Sequence, residues 1–147
     1  MSTASKHTPR SVLDAFYAAE RRYMSAPPAE RDFAWMASTL SPDIKLSQTP
    51  ALPYGGEYRG HAGFQDWSRR MAEYFEVVDV QDSEIFEREG SGTVVVLGRV
   101  HLKVRRTGQE LEFPLVQTVT VDTEKGLITE IRPIYWDVHA VNTALGV

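Results

Sequence analysis

The chain has 147 residues, of which 42% are hydrophobic and 24% are charged, and its formal net charge is -4. This composition is typical of one globular domain with a substantial core, and it favours neither a disordered nor a fibrous protein. The acidic balance argues against a nucleic-acid binder, and the absence of cysteine excludes disulfides, thiol nucleophiles and cysteine-ligated metals.

The first residues show no pattern typical of a targeting signal. Residues 1–10 are polar and predict a disordered tail, followed by a single domain over residues 11–147. No apolar stretch indicates a secretory signal, and no apolar run approaches the roughly 20 residues of a membrane span. We therefore expect a cytoplasmic protein that binds neither membranes nor nucleic acid.

Helical patterns fill the first 40 residues. Ser11 is expected to cap the first helix, whose outward face includes Glu20. The buried stripe of this helix recurs at helical spacing: Val12, Phe16, Ala19 and Tyr23. Ser25–Pro28 ends the helix, and a second, shorter helix is predicted from about Asp32 to Leu40.

A strand and a glycine-rich stretch come next. Ile44–Thr49 alternates as a half-buried strand. Leu52–Gly60 contains a proline and two adjacent glycines, which allow a tight, non-helical path. Since it lacks the Lys and Ser/Thr of a phosphate-binding loop, it is interpreted as a pocket rim, with Tyr54 and Tyr58 either contacting a ligand or packing within the loop.

A third helix from His61 carries an apolar stripe in which Phe64 and Trp67 are expected to line a cavity wall. Four strands separated by short turns follow: 77–87, 93–106, 111–122 and 127–137. Short turns imply antiparallel neighbours, and a last short helix is predicted over Val138–Leu145. Helices covering one face of a strand meander make an α+β domain.

Strand alternation predicts which side chains face the helices. The inward faces are apolar except for four members: Gln48, Gln117, Tyr135 and Asp137. Buried polar groups need partners, so this set predicts either a satisfied network or a binding site. In Thr93–Arg106, Gly98 faces inward and leaves room for a ligand, whereas Arg99 and His101 point outward unless a bulge reverses the facing.

Three stretches together resemble the SnoaL-like branch of the NTF2-like superfamily. Leu52–Gly60 is similar to the loop before that branch's third helix, and Gly126–Ile131 with Tyr135–Asp137 is similar to its last strand. The order of elements matches from Ser11 onward. The resemblance implies a cone-shaped α+β barrel with a curved antiparallel sheet, three N-terminal helices on its concave face, a short C-terminal helix and a deep apolar cavity.

The resemblance also implies candidate chemistry. The superfamily includes polyketide cyclases, ketosteroid isomerases, epoxide hydrolases, dehydratases and non-catalytic domains. Asp137 matches the acid/base aspartate of SnoaL-like cyclases, whereas Leu46–Pro50 lacks the carboxylate that ketosteroid isomerases carry there. Arg99, His101 and Asp137 are loosely similar to the Arg and Asp set of epoxide hydrolases, with histidine replacing a carboxylate.

These observations predict a protein that binds an apolar, oxygenated small molecule of polyketide, terpenoid or steroid type, without metal or cofactor. In an acid/base enzyme, Asp137 would transfer a proton and other residues would hold oxygen atoms: Gln48, Gln117, Tyr54 and Tyr135. The rival hypothesis is a non-catalytic binding or dimerisation module, in which Asp137 caps the last helix and the glutamines bond to backbone. A homodimer is expected through the outer sheet face at Val116, Thr118 and Thr120.

Overall fold

The structure, a computed structural model, describes residues 7–147. The first six residues of the predicted tail lie outside the described residues. The helices are α1 (Pro9–Ser25), a 3-10 turn (Pro28–Glu30), α2 (Ala34–Ala37), α3 (Gly60–Tyr74) and α4 (Val138–Leu145). The strands are β1 (Leu40–Gln48), β2 (Gly56–Arg59), β3 (Phe75–Glu87), β4 (Thr93–Val104), β5 (Glu110–Asp122) and β6 (Leu127–Tyr135). Within 7–147 no helix has the length and apolarity needed to cross a membrane.

Helix α1 begins at Pro9, earlier than predicted. The Thr8 hydroxyl accepts a 3.0 Å hydrogen bond from the Ser11 backbone N–H, and the Ser11 hydroxyl accepts one of 2.9 Å from the Thr8 N–H. This reciprocal pair is a capping box, and proline is favoured at the first helical position. The prediction that Ser11 is the N-cap is therefore wrong, because Thr8 caps the helix and Pro9 and Arg10 belong to it.

Two short elements differ from prediction. The second helix is a single turn, Ala34–Ala37, because β1 already begins at Leu40, which pairs with Ile128 of β6. Strand β2 lies inside the stretch predicted to be only a rim, and it pairs antiparallel with β1 from Lys45 to Gln48. A four-residue strand that opens with glycine has too few alternating positions to be recognised in the sequence.

The six strands form one sheet in the order β2-β1-β6-β5-β4-β3. The meander from β3 to β6 is antiparallel as predicted, but β1 runs parallel to β6. The sheet is therefore mixed, and it is not closed into a barrel, since β2 and β3 are its edges. No tight turn joins β1 to β6, so turn length could not predict their relative direction.

Helix α1 packs mainly against β3, and α3 packs against β1. The side chains that face these helices follow the predicted alternation. In β4 the inward set is buried: Val94, Val96, Gly98, Val100, Leu102 and Val104. Gln117 of β5 and Gln48 of β1 are buried within the same layer.

The space beside Gly98 is filled by the neighbouring strand. Strand β3 has a bulge between Gln81 and Glu84, where Asp82 adopts a φ of 52°. A Cβ on Gly98 would lie only 2.9 Å from the Gln81 carbonyl oxygen. The glycine thus permits the close approach of the bulged backbone, and the expectation of ligand space there is wrong.

The outer face of the sheet combines ion pairs with an apolar row. Arg99 and His101 lie on this face, where Arg99 Nε is 2.9 Å from Glu112 and His101 Nε2 is 3.2 Å from Glu110. Strand β4 shows no bulge against β5, so the facing is not reversed. The apolar row crosses three strands in register: Leu97, Val116 and Ile134.

Candidate site: an internal cavity and an adjoining cleft

A small cavity lies between α1, α3 and the inner face of the sheet. Its interior leaves about 20 Å³ for the centres of water-sized molecules, enough for one water. Most of its wall is aliphatic. The exceptions are Glu20 of α1, Gln48 of β1, Trp67 of α3, Gln117 of β5 and Tyr135 of β6. Five elements thus bring polar groups to one enclosed space.

A larger, open cleft of about 440 Å³ adjoins this cavity at the ends of β1 and β6. The pairing between these parallel strands ends at Leu46 with Ile131. Beyond that point, side chains from both faces of the sheet line the cleft, including outward Arg132 and inward Gln48. The cleft is therefore a gap between diverging strands, and it shares Gln48 and Tyr135 with the cavity.

Gln48 stands at the boundary of the two spaces with its amide unsatisfied. The residue is only 3% exposed, and neither Oε1 nor Nε2 has a hydrogen-bond partner among residues 7–147. Leaving a buried polar group unpartnered costs about 1–3 kcal/mol. An amide can donate and accept, so a ligand or water carrying either function would satisfy it.

Trp67 and Gln117 present two further polar groups to the cavity. The indole Nε1–H of Trp67 is buried and finds no hydrogen-bond partner in the described part of the chain. The Gln117 amide is partly satisfied, because its Oε1 accepts a short hydrogen bond from the Tyr17 hydroxyl. Burial raises the pKa of Tyr17, so this phenol stays a donor.

Tyr54 and Tyr135 form a hydroxyl pair beside the cleft. The Tyr54 hydroxyl donates to the Tyr135 hydroxyl at 3.0 Å, and Tyr54 is completely buried. Burial raises the pKa of both phenols. Tyr135 lines both the cavity and the cleft. Tyr54 lines neither of them, and it holds Tyr135 through the hydrogen bond between the two hydroxyl groups.

The two remaining aromatic candidates serve packing. The Tyr58 hydroxyl donates to the carbonyls of Tyr54 and Gly55 at 3.1 and 3.3 Å, which secures the loop. Phe64 is fully buried and makes edge contacts with Phe16 and Trp67. Neither lines the cavity or the cleft.

The sequence predicted that Asp137 faces inward, but the residue is exposed and lies outside the cavity. Its Oδ1 accepts a 2.9 Å hydrogen bond from the Ala140 backbone N–H, so it is the N-cap of α4. The prediction extended strand alternation to residue 137, but β6 ends at Tyr135 and the chain bends at Trp136. The structure thus matches the alternative capping role.

The sequence analysis placed Glu20 on the solvent-exposed face of α1, but the structure buries this residue. It is 5% exposed, lines the cavity, and makes no hydrogen bond with residues 7–147. Burial raises its pKa to about 8, while nearby Arg21 opposes and Asp79 adds to this shift. Helical spacing could have indicated this burial, because Glu20 lies three residues after Tyr17 and four before Met24, and both of these are buried.

Comparisons with known proteins give a consistent result. A family model described as a SnoaL-like domain matches residues 13–131. No curated protein matches the sequence. An NTF2-like protein from Burkholderia thailandensis is 24% identical with a TM-score of 0.71, covering 94% of this chain and 97% of its own. TerC, co-crystallised with polyporic acid, is 21% identical with a TM-score of 0.74, covering 94% and 98%. A Catenulispora acidiphila protein with a ketosteroid isomerase-like fold, solved with trimethylamine, is 14% identical with a TM-score of 0.66, covering 87% of each chain.

Proposed function

Because the chain belongs to the SnoaL-like domain family, we propose that it binds a small, largely apolar molecule that carries oxygen atoms. The ligand's apolar body occupies the cleft between β1 and β6, and an oxygen-bearing end points inward. Within the described residues no cluster of three metal-ligating side chains occurs. The proposed binding uses no metal or cofactor.

The unsatisfied amide of Gln48 is the observation that carries this proposal. A protein usually satisfies its buried polar groups, so an orphaned amide beside an open cleft indicates a contact that a ligand completes. The Trp67 indole N–H repeats the pattern in the adjoining cavity. Both groups suit an oxygen acceptor on the ligand, such as a carbonyl.

The volumes set the orientation of the ligand. The cleft's 440 Å³ falls in the range of small-molecule pockets, whereas the cavity holds about one water-sized group. The apolar body therefore contacts Pro50, Ile134 and Val138, and its polar end lies next to Gln48.

Two functions remain within this proposal. In an enzyme, the site would carry out acid/base cyclisation, isomerisation, dehydration or hydrolysis on the bound molecule. The second candidate is a non-catalytic binding or dimerisation module. It is favoured by one observation, since Asp137 caps α4 at the surface.

Replacement of the orphaned amide tests the proposal. 2-Tetralone, an apolar bicyclic ketone, serves as the probe, and its hydrocarbon parent tetralin is the comparison compound. Wild-type protein is expected to bind the ketone more tightly than the hydrocarbon in calorimetry, and Gln48→Leu is expected to reduce the difference. The matched control is Gln65→Leu, at an exposed glutamine of α3. Equal ketone affinity in wild type and Gln48→Leu would contradict the proposal.

Gln48→Leu also carries a second signature. Removing a polar group that the ligand-free protein leaves unsatisfied is expected to stabilise that protein by about 1–3 kcal/mol. A variant that gains stability while losing ketone binding cannot be explained by misfolding. Denaturant unfolding of both proteins measures the gain.

A further inference from the structure

We propose that Glu20 is the ligand-contacting acid of the cavity, where its neutral carboxyl group donates a hydrogen bond to an oxygen of the bound molecule. The site then selects neutral molecules with an acceptor oxygen, such as ketones and aldehydes, over carboxylates. This inference rests on the proposed function and names the class of ligand.

The position of Glu20 supports a contact with ligand. Its side chain lines the same enclosed space as Gln48 and Trp67. It is 5% exposed and has no hydrogen bond with any residue in 7–147. A buried carboxyl group without a partner is unfavourable unless another molecule completes it.

The charges around the cavity favour the neutral form. Arg21, the neighbouring cation, is outside the cavity lining and forms a 3.3 Å ion pair with Asp79 of β3. The other titratable groups near Glu20 are the phenols of Tyr17 and Tyr135, whose pKa values burial raises. Strands β1, β4 and β5 and helix α3 add no titratable group to the lining. An ionised carboxylate would thus lack a compensating charge.

The neutral form changes what the cavity can bind. A protonated carboxyl group is a donor, like the Trp67 N–H and the Gln48 amide N–H. A carbonyl oxygen can accept from two such donors at once. A ligand carboxylate would bring a full negative charge into a space whose described lining residues include no cation, which is costly.

The test measures 2-tetralone affinity against pH. The pKa of about 8 leaves roughly one tenth of Glu20 protonated at about pH 9, so wild-type affinity is expected to fall about tenfold from about pH 6. Glu20→Gln keeps an N–H donor at every pH and is expected to bind with constant affinity. Glu20→Leu has no donor and is expected to bind weakly throughout.

Two controls isolate the residue and the ligand class. Glu30→Gln changes an exposed carboxyl group outside the cavity lining and is expected to keep the wild-type pH profile. The probe 1,2,3,4-tetrahydronaphthalene-2-carboxylate has the same rings and a negative charge, and it is expected to bind more weakly than the ketone at every pH.

Each contrary outcome has a distinct meaning. A tenfold fall that persists in Glu20→Gln, or equal affinity of wild type and Glu20→Leu at about pH 6, overturns the role of Glu20 and leaves the proposed function intact. Wild-type protein that binds 2-tetralone no better than tetralin at any pH overturns both. Tighter binding of the carboxylate than of the ketone overturns the inferred ligand class.

Discussion

The buried acid Glu20 makes a sharp prediction about stability. Burial raises its folded-state pKa from 4.5 to about 8, so folding takes up a proton between these pH values. The stability contributed by the neutral carboxyl is fully present below about pH 4.5 and is lost as pH rises through about 8. Glu20→Gln cannot ionise and is expected to lack this loss.

The magnitude follows from the size of the shift. Each pKa unit corresponds to about 1.4 kcal/mol, and most of the interval between the unfolded pKa of 4.5 and the folded pKa of about 8 lies between about pH 5 and about pH 8. The free energy of unfolding of Glu20→Gln, relative to wild type, is therefore expected to rise by about 3 kcal/mol across this range. Any cost of burying the amide is the same at both pH values and cancels from the comparison.

Urea unfolding at several pH values, followed by fluorescence of the three tryptophans, measures this difference. Glu30→Gln provides the control, since that exposed carboxylate makes no ion pair within residues 7–147, and its difference from wild type is expected to stay constant. A Glu20→Gln difference that is equal at both ends of the pH range would refute the burial argument.

Three further predictions concern the fold and its surface. Gly98→Ala is expected to destabilise the protein by about 1–3 kcal/mol in thermal unfolding, because the added Cβ would lie 2.9 Å from a backbone oxygen. Gly92→Ala is the control and is expected to have little effect, because its Cβ would make ordinary van der Waals contacts. Asp137→Ala is expected to lose about 1 kcal/mol of stability with the cap and to retain 2-tetralone affinity; loss of binding in a folded variant would return Asp137 to the site. The homodimer predicted through the outer sheet face would bury Leu97, which is exposed there and pairs with Val116. Light scattering is expected to give a dimer mass for wild type and a monomer mass for Leu97→Lys, and a monomeric wild type would contradict this prediction.

The sheet face to which each side chain points could be predicted well, because successive side chains of an extended strand point to opposite faces. This alternation correctly placed Gln48 and Gln117 on the inner face, and Arg99 and His101 on the outer face. The prediction failed where a strand ended sooner than assumed, as it did before Asp137. Alternation holds only while the backbone remains extended.

The cavity could be predicted only in part. Its glutamines and Tyr135 followed from the facing rule, and Trp67 from the stripe of α3. Glu20 was missed because a charged residue on a helix is usually solvated, although its spacing placed it among buried neighbours. The cleft could not be predicted, since it depends on where two strands far apart in the sequence stop pairing.

The divergence of β1 from β6 also has a consequence for folding. The meander from β3 to β6 joins neighbours in sequence. Pairing β1 with β6 instead brings together two strands that are separated in the sequence by β2, α3 and the strands β3 to β5. We expect β1 and β2 to dock last and to open first, so their amide hydrogens should exchange faster than those of β4 and β5. A ligand bridging the diverging strands would then slow exchange selectively in β1 and β2.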